Sequence, residues 1–422
     1  MWTRRMFLKT SGIALFTLGA GPRFLARAAA AASGAKTPRK VLVTIFQRGA
    51  MDGLMAVPTL DDAALRTLRP RLAMTAARTG GEEAALDLGA GFGLHPAFSP
   101  LLSLWQEGRL GIVHAVGSPD PTRSHFDAQD YMETGTPGRK GTPSGWLNRA
   151  VGLAGHDASP FRAVAMTSAL PRSLYGDEQA IAVTDLADFR VRLPGALNVA
   201  AAAGEGFESL YQQTSQTLLR DTAKEAFQAM GMLTPEQIAR YRPANGAVYP
   251  ETPLGHAMRQ IALLIKADVG LEIAFAESGG WDTHVQQGTV NGTFARQARD
   301  LAGSIHAFWT DLGPSYQEDV LLTTMTEFGR TVRENGSGGT DHGHGSCLFV
   351  LGNRVQGGKV HGVFPKGPQD LDSAALYEGR DLPVTTDFRA VFCELAGKHL
   401  GIQDDSRLFP GWTGKRLPLL RS

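Results

Sequence analysis

The residues able to do chemistry in this chain lie in a few short polar runs, far apart along the sequence. Asp282-Thr283-His284 and Asp341-His342-Gly343-His344 together hold three of the eleven histidines. Carboxylate oxygen combined with imidazole nitrogen is the ligand set of zinc, manganese or iron, whereas carboxylates alone suit calcium or magnesium. In Asp282-Thr283-His284 alternate residues of an extended loop face the same way, so both side chains can reach one ion. The same spacing also serves a turn that caps a helix. In the second run, glycines on either side of His344 allow the backbone to close around a ligand.

Further candidates extend this set. Asp52 and Glu327 each follow an apolar run. Ser124-His125-Phe126-Asp127 resembles a capping sequence that opens a helix, which would put the Ser124 hydroxyl among free amides. Beside a divalent cation such a hydroxyl is a candidate nucleophile, with Thr122 in reserve. It is equally an ordinary N-cap. Arg48, Arg123 and Arg330 are candidates to bind phosphate or sulfate through paired hydrogen bonds. His95 and His114 read as structural. Gly89-Ala90-Gly91-Phe92-Gly93 does not follow a strand as a dinucleotide fingerprint must.

These runs meet only if secondary structure gathers them. Short β-branched or apolar runs bounded by glycine or polar clusters predict strands over Lys40–Phe46, Leu110–Val116, Leu271–Ala276, Val320–Thr324 and Cys347–Leu351. Helices are predicted over Pro96–Glu107, Ser124–Glu133, Pro253–Ala267, Phe294–Asp311 and Asp387–Leu400. In the third of these, Leu254, Met258, Ile261, Leu264 and Ile265 recur at helical spacing. Alternation of this kind predicts an α/β fold with a doubly wound, mostly parallel sheet. Ligands gather at the carboxyl ends of such strands. Residues 155–250 are less regular, and Phe207, Leu210, Tyr211, Leu218 and Leu219 suggest a partly helical insertion or lid. The span 33–422 is otherwise read as one domain.

Composition narrows the function. The 422 residues carry 42 Lys plus Arg against 41 Asp plus Glu, a balance without the basic excess of a nucleic-acid-binding surface. Two cysteines, Cys347 and Cys393, cannot build a disulfide scaffold or an all-cysteine zinc site, and are expected as buried thiols. Neither a dinucleotide motif, a haem attachment site nor a cluster-binding cysteine set points to redox chemistry. Thr3-Arg4-Arg5-Met6-Phe7-Leu8-Lys9, a short apolar stretch Ile13–Ala20 and the alanine-rich tract Arg27–Ala32 read as a twin-arginine export signal. The apolar stretch is too short to span a membrane. Removal of residues 1–32 takes away five basic residues and no acid, which shifts the net charge from +1 to −4. The expected location is the periplasm or the cell exterior, reached with the twin-arginine export machinery as partner.

Taken together, the leader, Arg48-Gly49-Ala50-Met51-Asp52-Gly53-Leu54, Pro121-Thr122-Arg123-Ser124-His125-Phe126, Gly279-Gly280-Trp281-Asp282-Thr283-His284, Glu327-Phe328-Gly329-Arg330-Thr331 and Gly339-Thr340-Asp341-His342-Gly343-His344-Gly345 resemble the bacterial family known as domain of unknown function 1501. That family looks like a branch of the alkaline phosphatase/sulfatase superfamily. The resemblance implies an alkaline-phosphatase-like fold and a metal-dependent hydrolase of phosphate or sulfate esters, on small molecules or glycans. It implies a divalent metal, zinc first, with calcium, magnesium or manganese as alternatives. A non-catalytic metal carrier or cell-envelope assembly protein on the same fold is the alternative.

By the same resemblance Asp52 matches a metal-binding aspartate, Ser124 or a near neighbour the nucleophile, and Asp282 with His284 an aspartate–histidine metal pair. The last segment allows two registers. In one, Asp341-His342 is the superfamily's Asp-His pair and His344 an added ligand. In the other, Glu327-Phe328 takes that place and His344 is the later histidine. One departure stands out: the superfamily's nucleophile often lies nine residues before a Thr-Gly pair, and nine before Thr134 is His125.

Overall fold

Val41, Val43 and Ile45 alternate with Leu42 and Phe46, so this run buries apolar side chains on both of its faces. It forms the central strand of a sheet in the computed structural model, which describes residues 40–76, 84–155, 159–188, 232–365 and 371–421 together with the backbone of 15–17. The main strands are β1 (Val41–Gln47), β2 (Leu110–Gly117), β3 (Ala163–Ala165), β4 (Ala180–Ala182), β5 (Ile273–Ser278), β6 (Val320–Met325) and β7 (Ser346–Leu351). Their spatial order is β4-β3-β5-β1-β6-β7-β2. Pairing is parallel from β4 through β6, while β7 is antiparallel to both β6 and β2. Val360–His361 and Thr386–Asp387 pair parallel with β2, and Leu15–Thr17 pairs antiparallel with β4.

Helices cover both faces, which makes the sheet doubly wound. On the face carrying Val43, Ile45 and Phe349 lie α3 (Pro253–Lys266) and α4 (Thr293–Gln317), through Met258, Ile261, Phe294, Ile305 and Phe308. On the face carrying Leu42, Phe46 and Phe275 lie α2 (Trp146–Ala154) and α5 (Phe388–Leu400), where Trp146 stacks on Phe392 with ring centroids 4.7 Å apart. Full burial of each such side chain contributes about 1.5–3 kcal/mol. The remaining helix needed here, α1 (His125–Thr134), starts eight residues beyond β2 and ends on Gly135 in the left-handed conformation.

The reversed direction of β7 decides where the chemistry collects. Segments that follow β1, β2, β5 and β6 emerge at one edge of the sheet. Because β7 runs the other way, the segment that precedes it, with Asp341, His342 and His344, reaches that same edge. A wholly parallel sheet would have sent it to the opposite one.

Some expectations change. Pro96–Glu107 is not one α-helix: it opens as a 3-10 helix, Pro96–Leu101, because Pro100 lacks an N–H, and continues as Leu102–Gln106. The fourth predicted helix runs on to Gln317 across a kink at Gly313 and Pro314. The span expected as an insertion, 155–250, supplies two sheet strands, β3 and β4; the apolar positions Phe207 to Leu219 lie outside the described residues, as does most of the leader. Gly89-Ala90-Gly91 is a turn with positive φ joining paired strands Ala84–Gly89 and Phe92–Leu94. Both cysteines are free and buried. Among the described residues no helix is long and apolar enough to cross a membrane.

Candidate metal centre

At that edge three imidazoles and one carboxylate meet. His125 is the first residue of α1, Asp282 and His284 sit in the loop after β5, and His342 precedes β7. His342 Nε2 lies 3.0 Å from His125 Nε2 and 2.9 Å from His284 Nε2. Asp282 Oδ1 lies 3.3 Å from His342 Nε2 and 3.0 Å from His284 Nε2, and Asp282 Oδ2 is 3.6 Å from His125 Nε2. The ligating atoms of His125, Asp282 and His342 all fall within 4.8 Å of one another.

The other ring nitrogens fix the direction of the lone pairs in this cluster. His125 Nδ1 faces Glu327 Oε1 at 2.8 Å, His284 Nδ1 faces Asp341 Oδ1 at 2.8 Å, and His342 Nδ1 faces the carbonyl oxygen of Arg123 at 2.9 Å. A carboxylate and a carbonyl only accept, so each Nδ1 carries the proton. In the neutral rings all three Nε2 lone pairs then point at one another and at a carboxylate. Lone pairs brought to about 3 Å repel unless a proton or a cation lies between them. Histidine ligands whose second nitrogen is held by a carboxylate or carbonyl are the usual architecture of a metal site. The donor set, three imidazoles and one carboxylate, therefore fits a divalent cation.

Behind the cluster a second layer fixes each ligand. Glu327 is fully buried, and its Oε1 also accepts from the Gly49 amide and Gln129 Nε2. Arg330, buried, donates to Asp282 Oδ1 at 2.5 Å and to the carbonyls of Ala50, Thr340, Trp281 and Gly49. It thereby ties the loops after β1, β5 and β6 together. Phe328 packs against the rings of His125 and His342, with centroids 4.9 and 5.0 Å away. Close backbone approach makes two glycines necessary. Gly49 has φ of 113°, and a Cβ there would stand 2.6 Å from the Asp282 amide; one on Gly343 would stand 2.4 Å from the Arg330 carbonyl carbon.

Protonation follows from these partners. The hydrogen bond to Glu327 raises the His125 pKa, against burial, while burial lowers that of His342. Burial alone would raise Glu327, Asp282 and Asp341. Bonds from His125 and Gln129 outweigh it for Glu327, from Arg330 for Asp282, and from His284 and Asn335 for Asp341, so all three are held below the ordinary carboxyl range.

The other expected site residues lie elsewhere or act indirectly. Asp52 does not join the cluster: its Oδ2 accepts from Arg69 Nη1 (2.9 Å) and Gln287 Nε2 (2.8 Å), and its Oδ1 from the Met55 amide, so its lone pairs are engaged by fixed donors. Arg69 was invisible as a site partner, since nothing local distinguishes it from a surface arginine. His344 is buried against Tyr377, with Nε2 3.0 Å from the Ser118 carbonyl, and its Nδ1 has no partner among the described residues. Ser124 is the exposed N-cap of α1, without a side-chain capping bond, and the next residue, His125, turns into the cluster instead. Glu327 and Asp341 support imidazoles at Nδ1. Arg48 pairs with Glu133 (2.6 Å) and Glu277 (2.7 Å), and Arg123 with Asp381 (2.6 Å) and Glu378 (2.7 Å).

Two solved structures are similar to this chain. The PsFucS1 sulfatase from Pseudoalteromonas sp. is 13% identical, with 82% of this chain and 69% of that one covered at a TM-score of 0.35. The alkaline phosphatase from the Antarctic bacterium TAB5 is 12% identical, with 75% and 92% covered at 0.29. Likenesses of this size say nothing of chemistry. Among curated proteins none matches the sequence. A family model does match, over residues 72–410, a span that includes His125, Asp282, His284 and His342. The chain belongs to the family described as "Protein of unknown function (DUF1501)".

Proposed function

We propose that this protein is an exported, metal-dependent hydrolase of phosphate or sulfate esters. The observation that carries this reading is the shared orientation of His125, His284 and His342, whose Nδ1 atoms are all held by acceptors while their Nε2 atoms converge on Asp282. Imidazole with carboxylate favours zinc, with manganese as the next choice. A divalent cation held there would polarise an ester oxygen and lower the pKa of water. Glu327, Asp341 and the Arg123 carbonyl keep the three rings in the ligating tautomer, and Arg330 holds the Asp282 carboxylate in place. We assign the attack to a water molecule rather than to Ser124, whose hydroxyl has no hydrogen bond to any residue of the cluster.

The test is direct. Protein loaded with zinc or manganese is assayed against 4-nitrophenyl phosphate, bis(4-nitrophenyl) phosphate and 4-nitrophenyl sulfate. Metal-dependent turnover that Asp282→Ala removes is expected; absence of turnover on every ester from metal-replete protein would overturn the reading. A second reading, a non-catalytic metal carrier, is favoured by one observation. Arg48, Arg123 and Arg330 are all engaged by carboxylates, so none of them is available to clamp an oxyanion. Tight metal retention without esterase activity would support it. Export rests on Arg4-Arg5 and the alanine tract; Arg4→Lys with Arg5→Lys should leave the precursor in the cytoplasm.

A further inference from the structure

Helix α1 carries His125, Gln129 and Glu133 four residues apart, so the three side chains stand on one face at successive turns. That face meets the loops after β1 and β6, which supply Arg48 and Glu327. Arg48 Nη1 donates to Gln129 Oε1 at 3.1 Å and to Glu133 Oε1 at 2.6 Å. Its Nε and Nη2 both reach Glu277 Oε1, at 3.1 and 2.7 Å, and the guanidinium lies 3.9 Å over the Phe46 ring. Glu133 is fixed in turn, since its Oε2 accepts from the Ser173 amide at 2.8 Å. Arg48 is thus a donor held rigidly in place. Among the described residues, Gln129 is the one neutral side chain to which its guanidinium donates.

The chemistry of its two neighbours decides how the Gln129 amide is turned. Arg48 can only donate, so it faces the amide oxygen; the ionised Glu327 can only accept, so it faces the NH2 group. Nε2 accordingly donates to Glu327 Oε1 at 2.9 Å. The same oxygen takes the His125 Nδ1 proton at 2.8 Å and the Gly49 amide at 2.8 Å. Glu327 Oε2 meets the Thr326 hydroxyl at 3.1 Å, and the Gln47 carbonyl, 2.9 Å away, competes for that proton. The hold on the carboxylate is therefore concentrated at Oε1.

We propose that Gln129 is a positioning residue of the metal centre. Turned and held by Arg48, it fixes Glu327 so that His125 keeps its proton on Nδ1 and aims the Nε2 lone pair at the cation. This inference rests on the reading of the cluster as a metal site. Arg48, expected from the sequence to clamp an anion, acts instead on a ligand through two intervening side chains. The terminal torsion of a glutamate is soft, so without the Gln129 bond the carboxylate is free to turn and the His125 ring gains its other tautomer.

Gln129→Met tests it, because methionine keeps the length and helical preference of the side chain while removing both hydrogen bonds. Zinc affinity of the mature protein, read by chelator competition, should fall about tenfold with the far-ultraviolet circular dichroism unchanged. Ring-nitrogen NMR signals of His125, recorded on metal-free protein in mildly alkaline solution, should change from a single Nδ1-protonated tautomer to a mixture. Arg48→Lys should cost less zinc affinity, and in the double variant the two losses should not add, because both cut one path. Wild-type zinc affinity and tautomer in Gln129→Met, or strictly additive losses, would overturn the proposal. The two ideas fail separately. If wild-type protein binds no zinc while the His125 tautomer still depends on Gln129, the relay stands and the metal reading falls. If zinc binds tightly and neither readout responds to Gln129→Met, the metal reading stands and the relay falls.

Discussion

Asp52 and Asp282 occupy matching places: each follows one of two neighbouring parallel strands, β1 and β5, and each faces a buried arginine, Arg69 or Arg330. Their surroundings differ. The Asp52 side chain is 1% exposed and its oxygens accept from an arginine, a glutamine and an amide, all fixed. The Asp282 side chain is 46% exposed and, besides Arg330, faces ring nitrogens that have already placed their protons elsewhere. The first aspartate is a buried structural ion pair. The second is an acceptor among acceptors, an arrangement that calls for a cation. A carboxylate at a strand end becomes a site through its unengaged lone pairs and access to water, more than through its position.

The largest expected effect breaks the comparison on the Asp282 side. Asp282→Ala or His342→Ala should reduce bound metal to background, read by elemental analysis of folded protein. Unfolding free energy of the metal-free Asp282→Ala form should change by only about 1 kcal/mol, since the half-exposed Asp282 side chain leaves its place to water and Arg330 keeps four carbonyl partners. Asp52→Ala should do the reverse. It leaves the Arg69 guanidinium in the dry interior with two carbonyl partners but no counter-charge, and should cost about 3–5 kcal/mol in denaturant unfolding, with the metal retained in the folded fraction. Metal loss with little change in stability for Asp52→Ala would collapse the distinction.

Acid should expose the structural side next. Burial lowers the pKa of His95, His114 and His399 to about 4. Between pH 6.5 and 4 the unfolded chain binds protons at these positions that the folded chain refuses. Stability is therefore full above about pH 6.5 and falls as the pH drops towards 4, by up to about 3 kcal/mol for each histidine. Chemical denaturation of metal-free protein at pH 7 and pH 5 measures it, and His399→Gln should flatten the slope.

Supporting residues sharpen the picture on a finer scale. Glu327→Gln keeps the shape but weakens the hold on His125 Nδ1, and should lower metal affinity about 10–100-fold, read by chelator competition. The smallest effect belongs to Ser124→Ala, for which metal content and any esterase rate should remain within about twofold of wild type. A loss approaching that of Asp282→Ala would restore Ser124 as the nucleophile.

Local pattern carried much of the architecture. The five predicted strands and helices α1, α3 and α5 match within about two residues, because their apolar periodicity or capping is written into adjacent residues. The strands β3 and β4 leave little mark in the sequence: three residues each, with a single β-branched residue between two alanines, they are too short to show a pattern. Helix α2 escaped as well. At the site, Asp282, His284 and His342 were legible as candidate ligands from residue type and spacing, whereas the count of nine residues before Thr134-Gly135 marked His125 only as a displaced nucleophile position and not as a ligand. That Asp341 and Glu327 would stand behind imidazoles was not legible, since either carboxylate could equally have been a ligand.

Residue types and their spacing, then, determined the α/β class, the strand ends and the stock of imidazole and carboxylate at them. Tertiary structure decided which of those groups act together. It reversed β7, so that His342 met His125 across 217 residues, and it brought Gln287 over 235 residues to engage Asp52. The reason is physical. Secondary structure depends on neighbours a few residues away, whereas the state of a lone pair depends on whichever donor the folded chain places within 3 Å of it.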